Sequence, residues 1–293
     1  MDKITRCITH DGAVMVAAID STETVFTAQK LHNTSPVATA ALGRLLSATS
    51  IMGAMLKNPK ATINLQLAGD GELGIVTAVA NSKGYVKGYV GNPDCPTEYY
   101  DNGHINVGKA VGKGILNVMR DEGAGEPYIG KIPLASGEVA EDIASYYATS
   151  EQIPTVCALG VLIDKKGMVL ASGGVLLQML PGAFESDIDR IEENLKNVPS
   201  VTRMLADGLT PVEMAEKFLK GYEVDVLDEY EVGYYCNCSK EKIGSIISGM
   251  PENEIMSLPD ENGEVKASCH FCNKEYVFTT EDLQAMIQEN KKI

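Results

Sequence analysis

The sequence predicts an α+β fold in three parts: a large mixed α/β core domain (residues 1–182), a helical acidic linker (183–231) and a small C-terminal domain (232–293). Three observations predict it. Period-two apolar stretches and helical patterns mix through the first part without the regular alternation of a doubly wound sheet. Acidity gathers after residue 182: residues 183–231 hold 13 Asp and Glu against 5 Lys and Arg, and residues 232–293 hold 10 against 6. Of 7 cysteines, Cys236, Cys238, Cys269 and Cys272 crowd into the last quarter of the chain.

The elements follow in order. Ile4 to Thr9, Ala13 to Ile19, Thr62 to Leu67, Ile75 to Ala80 and Tyr85 to Val90 alternate as strands do. Ser35-Pro36 opens a long helical pattern reaching about Lys57, with Ser35 as cap and Pro36 in the first turn, where no amide partner is lost. An alanine-rich helix is expected from Glu138 to Gln152. Strands Thr155 to Ile163 and Met168 to Leu180 follow, joined by the turn Asp164-Lys165-Lys166-Gly167. After Pro181-Gly182 the pattern turns helical, from Phe184 to about Lys196 and again after Pro199. Thr210-Pro211-Val212-Glu213 then fits a capping box, and Gly221 can end that helix. Residues 222–235 carry apolar side chains among carboxylates without a strong element, so a hinge or tether is expected there. In the last part, Glu275 to Thr279 reads as a strand.

Composition narrows the function. With 293 residues, 44% hydrophobic and 22% charged, the chain can bury a sizeable core. A formal charge of −15 repels phosphate backbones, which argues against a nucleic-acid partner. No run of ~18 apolar residues is evident, so no membrane span is expected. The start MDKITRCITH lacks the charged-then-apolar pattern of a signal peptide. These features read as a soluble cytoplasmic protein. Gly69-Asp70-Gly71-Glu72-Leu73-Gly74 spells a dinucleotide fingerprint, but a β-type run follows where the pyrophosphate needs a helix amino terminus, so a turn between strands is expected. Gly103 to Ala110 nearly spells a phosphate loop but lacks the terminal Ser or Thr. His10, His32, His104 and His270 lie far apart, with no nucleophile elbow, so no hydrolase triad is supported.

The cysteines carry the chemistry. A cytoplasmic chain with an odd number of them is not built on static disulfides. Cys7, Cys95 and Cys157 read as small buried apolar residues. Cys236-Asn237-Cys238 and Cys269-His270-Phe271-Cys272 supply four thiolates for one tetrahedral zinc ion, in a segment too small to be held by a core alone. His270 is expected to be exposed and not a ligand. Zinc-held thiolates are open to oxidation, which would remove the ligands and the folding energy together. Spacing alone leaves an inert zinc ribbon and a redox switch equally open.

Motifs along nearly the whole chain break that tie. Cys236-x-Cys238 with Tyr234-Tyr235 before it and Ser239-Lys240-Glu241-Lys242 after it, and Glu264 to Phe278 around the second pair, resemble the two signatures of the redox-regulated 33-kilodalton heat-shock chaperonin family of bacteria. Ala41-Leu42-Gly43-Arg44, Ser136-Gly137-Glu138, Glu141-Asp142, Ser150 to Pro154, Gly173-Gly174 and Gln178 to Gly182 are also similar to family motifs. The resemblance implies an ATP-independent holdase rather than an enzyme: reduced and zinc-bound when idle, activated by oxidation, with unfolding proteins as clients and a homodimer as the active form. It also implies disulfides Cys236–Cys238 and Cys269–Cys272, the second forming first. Phe184, Ile188, Leu195, Met204, Leu205, Met214, Phe218 and Leu219 would serve as apolar anchors when the linker loosens. Two rivals are weaker. A zinc-ribbon nucleic-acid adaptor wants a basic module. A thiol–disulfide oxidoreductase wants its pair to open a helix, whereas a strand is expected after Cys272.

Overall fold

The computed structural model describes residues 1–290. They form two compact units, Met1–Tyr235 and one that starts at Cys236.

In the first unit, β1 (Lys3–Thr9) and β2 (Val14–Asp20) form a hairpin, followed by α1 (Thr22–His32) and α2 (Pro36–Ala54). Then come β3 (Thr62–Gly69), β4 (Ile75–Asn81), β5 (Val86–Val90), the short α3 (Val107–Val111), β6 (Gly114–Asp121) and β7 (Tyr128–Pro133). Helix α4 (Ala140–Tyr146) runs into a π-turn at Tyr147–Glu151 and leads to β8 (Thr155–Ile163) and β9 (Val169–Met179). Three helices, α5 (Glu185–Leu195), α6 (Val201–Ala206) and α7 (Pro211–Phe218), precede β10 (Val224–Glu231). All strand pairs are antiparallel, in two five-stranded sheets ordered β10-β1-β2-β9-β8 and β5-β4-β3-β6-β7. The α+β expectation is met.

Helix α2 lies between the sheets, and this position explains its sequence. Seventeen of its residues are buried, so both sides must be apolar or small. A Cβ on Gly43 would stand 2.7 Å from Val25 and 2.8 Å from Val161, so a larger residue would push these layers apart. Ser35 caps α2 by accepting from the Ala38 amide, as read from the sequence, but the helix stops at Ala54 rather than Lys57. It is also long and apolar enough to cross a membrane, contrary to the sequence expectation; here it is the core helix of the unit.

Helices α5, α6 and α7 cover the other face of the first sheet. Ile191, Met204, Met214, Phe218 and Leu219 pack with Val14, Val16, Ala18, Val175 and Leu177 in one buried cluster. The capping box at Thr210 and Glu213 starts α7. One expectation is corrected: residues 222–235 are not without structure, because Val224–Glu231 pairs with β1 as an edge strand. None of its residues is buried, so no alternation marked it. Its hold is the backbone ladder together with a fork of Arg6 on Asp228 (Nε to Oδ1, 2.7 Å).

The second unit holds α8 (Lys240–Ser248), α9 (Glu252–Ile255), the hairpin β11 (Glu264–Ser268) and β12 (Glu275–Thr279), and α10 (Thr280–Asn290). Its core is small: Ile247, Ile255, Val265, Cys269, Tyr276, Phe278, Leu283 and Ile287.

Candidate metal centre

Two loops bring the four cysteines together. Cys236 and Cys238 lie just ahead of α8, whose start is fixed by Ser239 accepting from the Lys242 amide. Cys269 and Cys272 sit in the tight turn between β11 and β12. There the Cys269 amide donates to the Lys274 carbonyl, the Cys272 and Asn273 amides both return to the Cys269 carbonyl, and Asn273 takes a left-handed φ of 56°. A chain reversal this sharp puts two side chains three apart on one side of the turn.

The four sulfurs lie within 4.8 Å of one another. Cys236 and Cys269 are 3.7 Å apart, and Cys238 and Cys272 are 3.4 Å apart. Zn–S bonds of ~2.3 Å set the sulfurs of a tetrahedron about 3.8 Å apart, so the spacing fits one ion. Contacts thus run between the two motifs as well as within the cluster as a whole.

Electrostatics point the same way. Burial, with contacts to the other thiols, pushes Cys236 up to about 12. Burial also resists ionisation of Cys238, but hydrogen bonds from the Tyr276 hydroxyl and the neighbouring thiols outweigh it and bring that group down to about 7. Cys272 is raised, chiefly by burial. Half-buried thiols this close cannot all ionise alone, whereas a bound cation makes four thiolates favourable. The Tyr276 hydroxyl stands 3.1 Å from the Cys238 sulfur, with its own ionisation suppressed by that contact. This partner was not anticipated from sequence. Its only signal was a Tyr within the strand that follows Cys272.

His270 is exposed. Cys7, Cys95 and Cys157 belong to the first unit; Cys7 and Cys95 are buried in its cores as expected, Cys157 is only half-buried against one of them, and desolvation raises each, Cys7 to about 11 and Cys157 to about 12. They are protonated packing residues at neutral pH. The Gly69–Gly74 fingerprint is the turn joining β3 to β4, as expected. Of the eight proposed anchors, Met204, Met214, Phe218 and Leu219 are buried, Leu195 and Leu205 half-buried, and Phe184 and Ile188 exposed at 74% and 42%.

Residues 2–279 match the family model described as Hsp33 protein. The chain is 43% identical over 294 residues to a 33 kDa chaperonin of Clostridium perfringens (strain SM101), covering 99% of this chain and 93% of that one. A 33 kDa chaperonin of Clostridioides difficile is 42% identical, with 98% and 99% covered. The crystal structure of a 33 kDa chaperonin (heat shock protein 33 homolog) from Thermotoga maritima superposes with a TM-score of 0.89 at 31% identity, over 99% of both chains.

Proposed function

The chain belongs to the Hsp33 family, and on that premise we propose that it is a cytoplasmic, redox-regulated holdase, which captures unfolding proteins without ATP and is not an enzyme. One observation carries the reading: four cysteines poised for a single ion in a unit whose core, among the described residues, adds only seven other buried side chains. The ion is Zn²⁺, one per chain, held by Cys236, Cys238, Cys269 and Cys272. It would supply folding free energy there, and the residues around it orient the ligands. Zinc peptides of this size gain ~10–16 kcal/mol from their metal, more than a whole domain's usual margin.

Oxidation joins the thiols pairwise, as Cys236–Cys238 and Cys269–Cys272. Each disulfide forms as two thiolates lose two electrons to peroxide, which is reduced to water. All four sulfurs lie within 4.8 Å of one another, so this pairing rests on the short spacing inside each motif once the ion leaves. Loss of the ion unfolds residues 232–293, and residues 183–231 then loosen. What they leave bare is the apolar face Val14, Val16, Ala18, Val175 and Leu177, with their own Met204, Met214 and Phe218 as further contacts. That surface suits non-native chains, and a homodimer of the first unit would double it. Thermally unfolding citrate synthase, watched by light scattering, tests this. Oxidised protein should suppress aggregation and reduced, zinc-loaded protein should not. Equal activity in both states would refute the switch.

A further inference from the structure

Resting on the chaperone reading, we propose that β8 is a strand-addition site, where an extended apolar segment of a non-native client pairs with the free edge of the first sheet. The two five-stranded sheets have four edges. Edge strands invite pairing with foreign chains, and proteins blunt them with charge, proline or cover. Three of the four are blunted. β10 carries Asp225, Asp228, Glu229 and Glu231. β7 carries Lys131 and ends in Pro133. β5 carries Lys87 and is covered by residues 233–235, with the Val86 amide donating to the Gly233 carbonyl and the Tyr235 amide to the Val86 carbonyl. β8 reads Thr-Val-Cys-Ala-Leu-Gly-Val-Leu-Ile, without charge or proline, and every residue in it keeps partial exposure.

The phase of the ladder shows which groups are free. The Met179 amide donates to the Pro154 carbonyl, so residues 154 and 179 form a hydrogen-bonded pair. Antiparallel pairs alternate. With Thr155 opposite Gln178 and Leu162 opposite Ala171, Val156, Ala158, Gly160 and Leu162 therefore bond to β9, while the amides and carbonyls of Thr155, Cys157, Leu159 and Val161 point away from the sheet. Four evenly spaced donor–acceptor sets on a sheet edge recognise a polypeptide backbone whatever its sequence, the selectivity a holdase needs.

Beside the Thr155 end lies a cleft of about 180 Å³ whose sheet wall is Val156, Leu177 and Met179 and whose other wall is Ile188, Ile191, Glu192 and Leu195 of α5; as α5 loosens on oxidation, the apolar sheet wall is what a client meets. Strand addition gains affinity from the backbone and preference from such side-chain pockets. A second copy of β8 suits the site poorly. Antiparallel self-pairing about Leu159 would bring Ile163 opposite Thr155 and set the charged Asp164-Lys165-Lys166 turn against the apolar sheet wall Val156, Leu177 and Met179. A client can place an apolar side chain there instead.

The test is amide hydrogen exchange with residue-level fragmentation on the full-length oxidised protein, free and bound to thermally unfolding citrate synthase. Expected is at least tenfold slower exchange at Cys157, Leu159 and Val161 in the complex, with Val156, Ala158 and Leu162 protected in both states. Leu162→Lys, which puts a charge on a side chain already 37% exposed, should weaken aggregation suppression several-fold and leave zinc affinity unchanged. Suppression by the wild type with unchanged exchange at the odd-numbered amides would overturn the proposal and leave the holdase reading standing. Protection that rises with protein concentration in the absence of citrate synthase would assign the edge to a second copy and overturn it too. No suppression in any redox state would overturn both readings.

Discussion

Phe278→Ala probes how tightly the small unit's core is coupled to its metal. Phe278 is fully buried and is the largest such side chain in that unit, against Ile247, Val265 and Leu283. Truncating a buried Phe costs about 3–5 kcal/mol in transfer and cavity terms. The seven buried side chains other than Cys269 among the described residues cannot absorb such a loss, so the metal-free unit is unfolded already, and the whole cost falls on metal binding. Each 1.4 kcal/mol is tenfold, so apparent zinc affinity should weaken by about 140- to 3,700-fold. Competition against a chelator of known affinity, in reduced protein, reads this directly. Far less peroxide should then be needed to start client capture. Unchanged affinity would refute the reasoning, since it would mean that the unit folds without metal and that loss of the ion alone cannot unfold it.

Further expectations can be checked on the same protein. Tyr276→Phe removes the hydroxyl donor to Cys238 and should weaken zinc binding by about 10- to 100-fold, as loss of a ligand's outer partner does; unchanged affinity would reduce that contact to packing. In the first unit, Asp142 is fully buried, and its carboxylate accepts from the Ala135, Ser136, Gly137 and Val139 amides. Asp142→Ala strands these donors and should cost at least ~3 kcal/mol by denaturant unfolding. Burial raises the pKa of Glu138, but the Gly108 amide, Arg44 and Tyr100 more than offset this and hold it below its ordinary 4.5. A depressed folded value means stability that is present above the unfolded value and lost as pH falls through the folded one. The wild type should therefore outlast Glu138→Gln in urea at pH 7, with the gap closing as pH drops below 4.5. A gap independent of pH would show that ionisation is not what Glu138 contributes.

Legibility from sequence followed local signal. The caps at Ser35 and Thr210 and the strands with one buried face were readable because each depends on near neighbours. β6 and β7 were not expected, since Ile115, Met119 and Ile129 on the solvent side erase the alternation. α1 was also missed: its Ser21 N-cap makes no side-chain cap bond, while the carboxylate that caps its first turn comes from Asp2, about twenty residues away. β10 is set by its partner strand and the Arg6–Asp228 pair, both over two hundred residues distant. At the metal centre the ligand types and spacings were legible. The closeness of sulfurs across the two motifs, and the hydroxyl of Tyr276, are tertiary facts that no spacing encodes.

The central claim is that one event, oxidation of four thiols, both releases zinc and creates client-binding surface. The most direct measurement follows three signals in one peroxide time course: zinc captured by a colorimetric chelator, free thiols, and suppression of citrate synthase aggregation. The account predicts loss of four thiols and one zinc per chain, with suppression rising as zinc departs or after it and never before. Full suppression while zinc is still bound, or complete zinc release with no suppression, would contradict it.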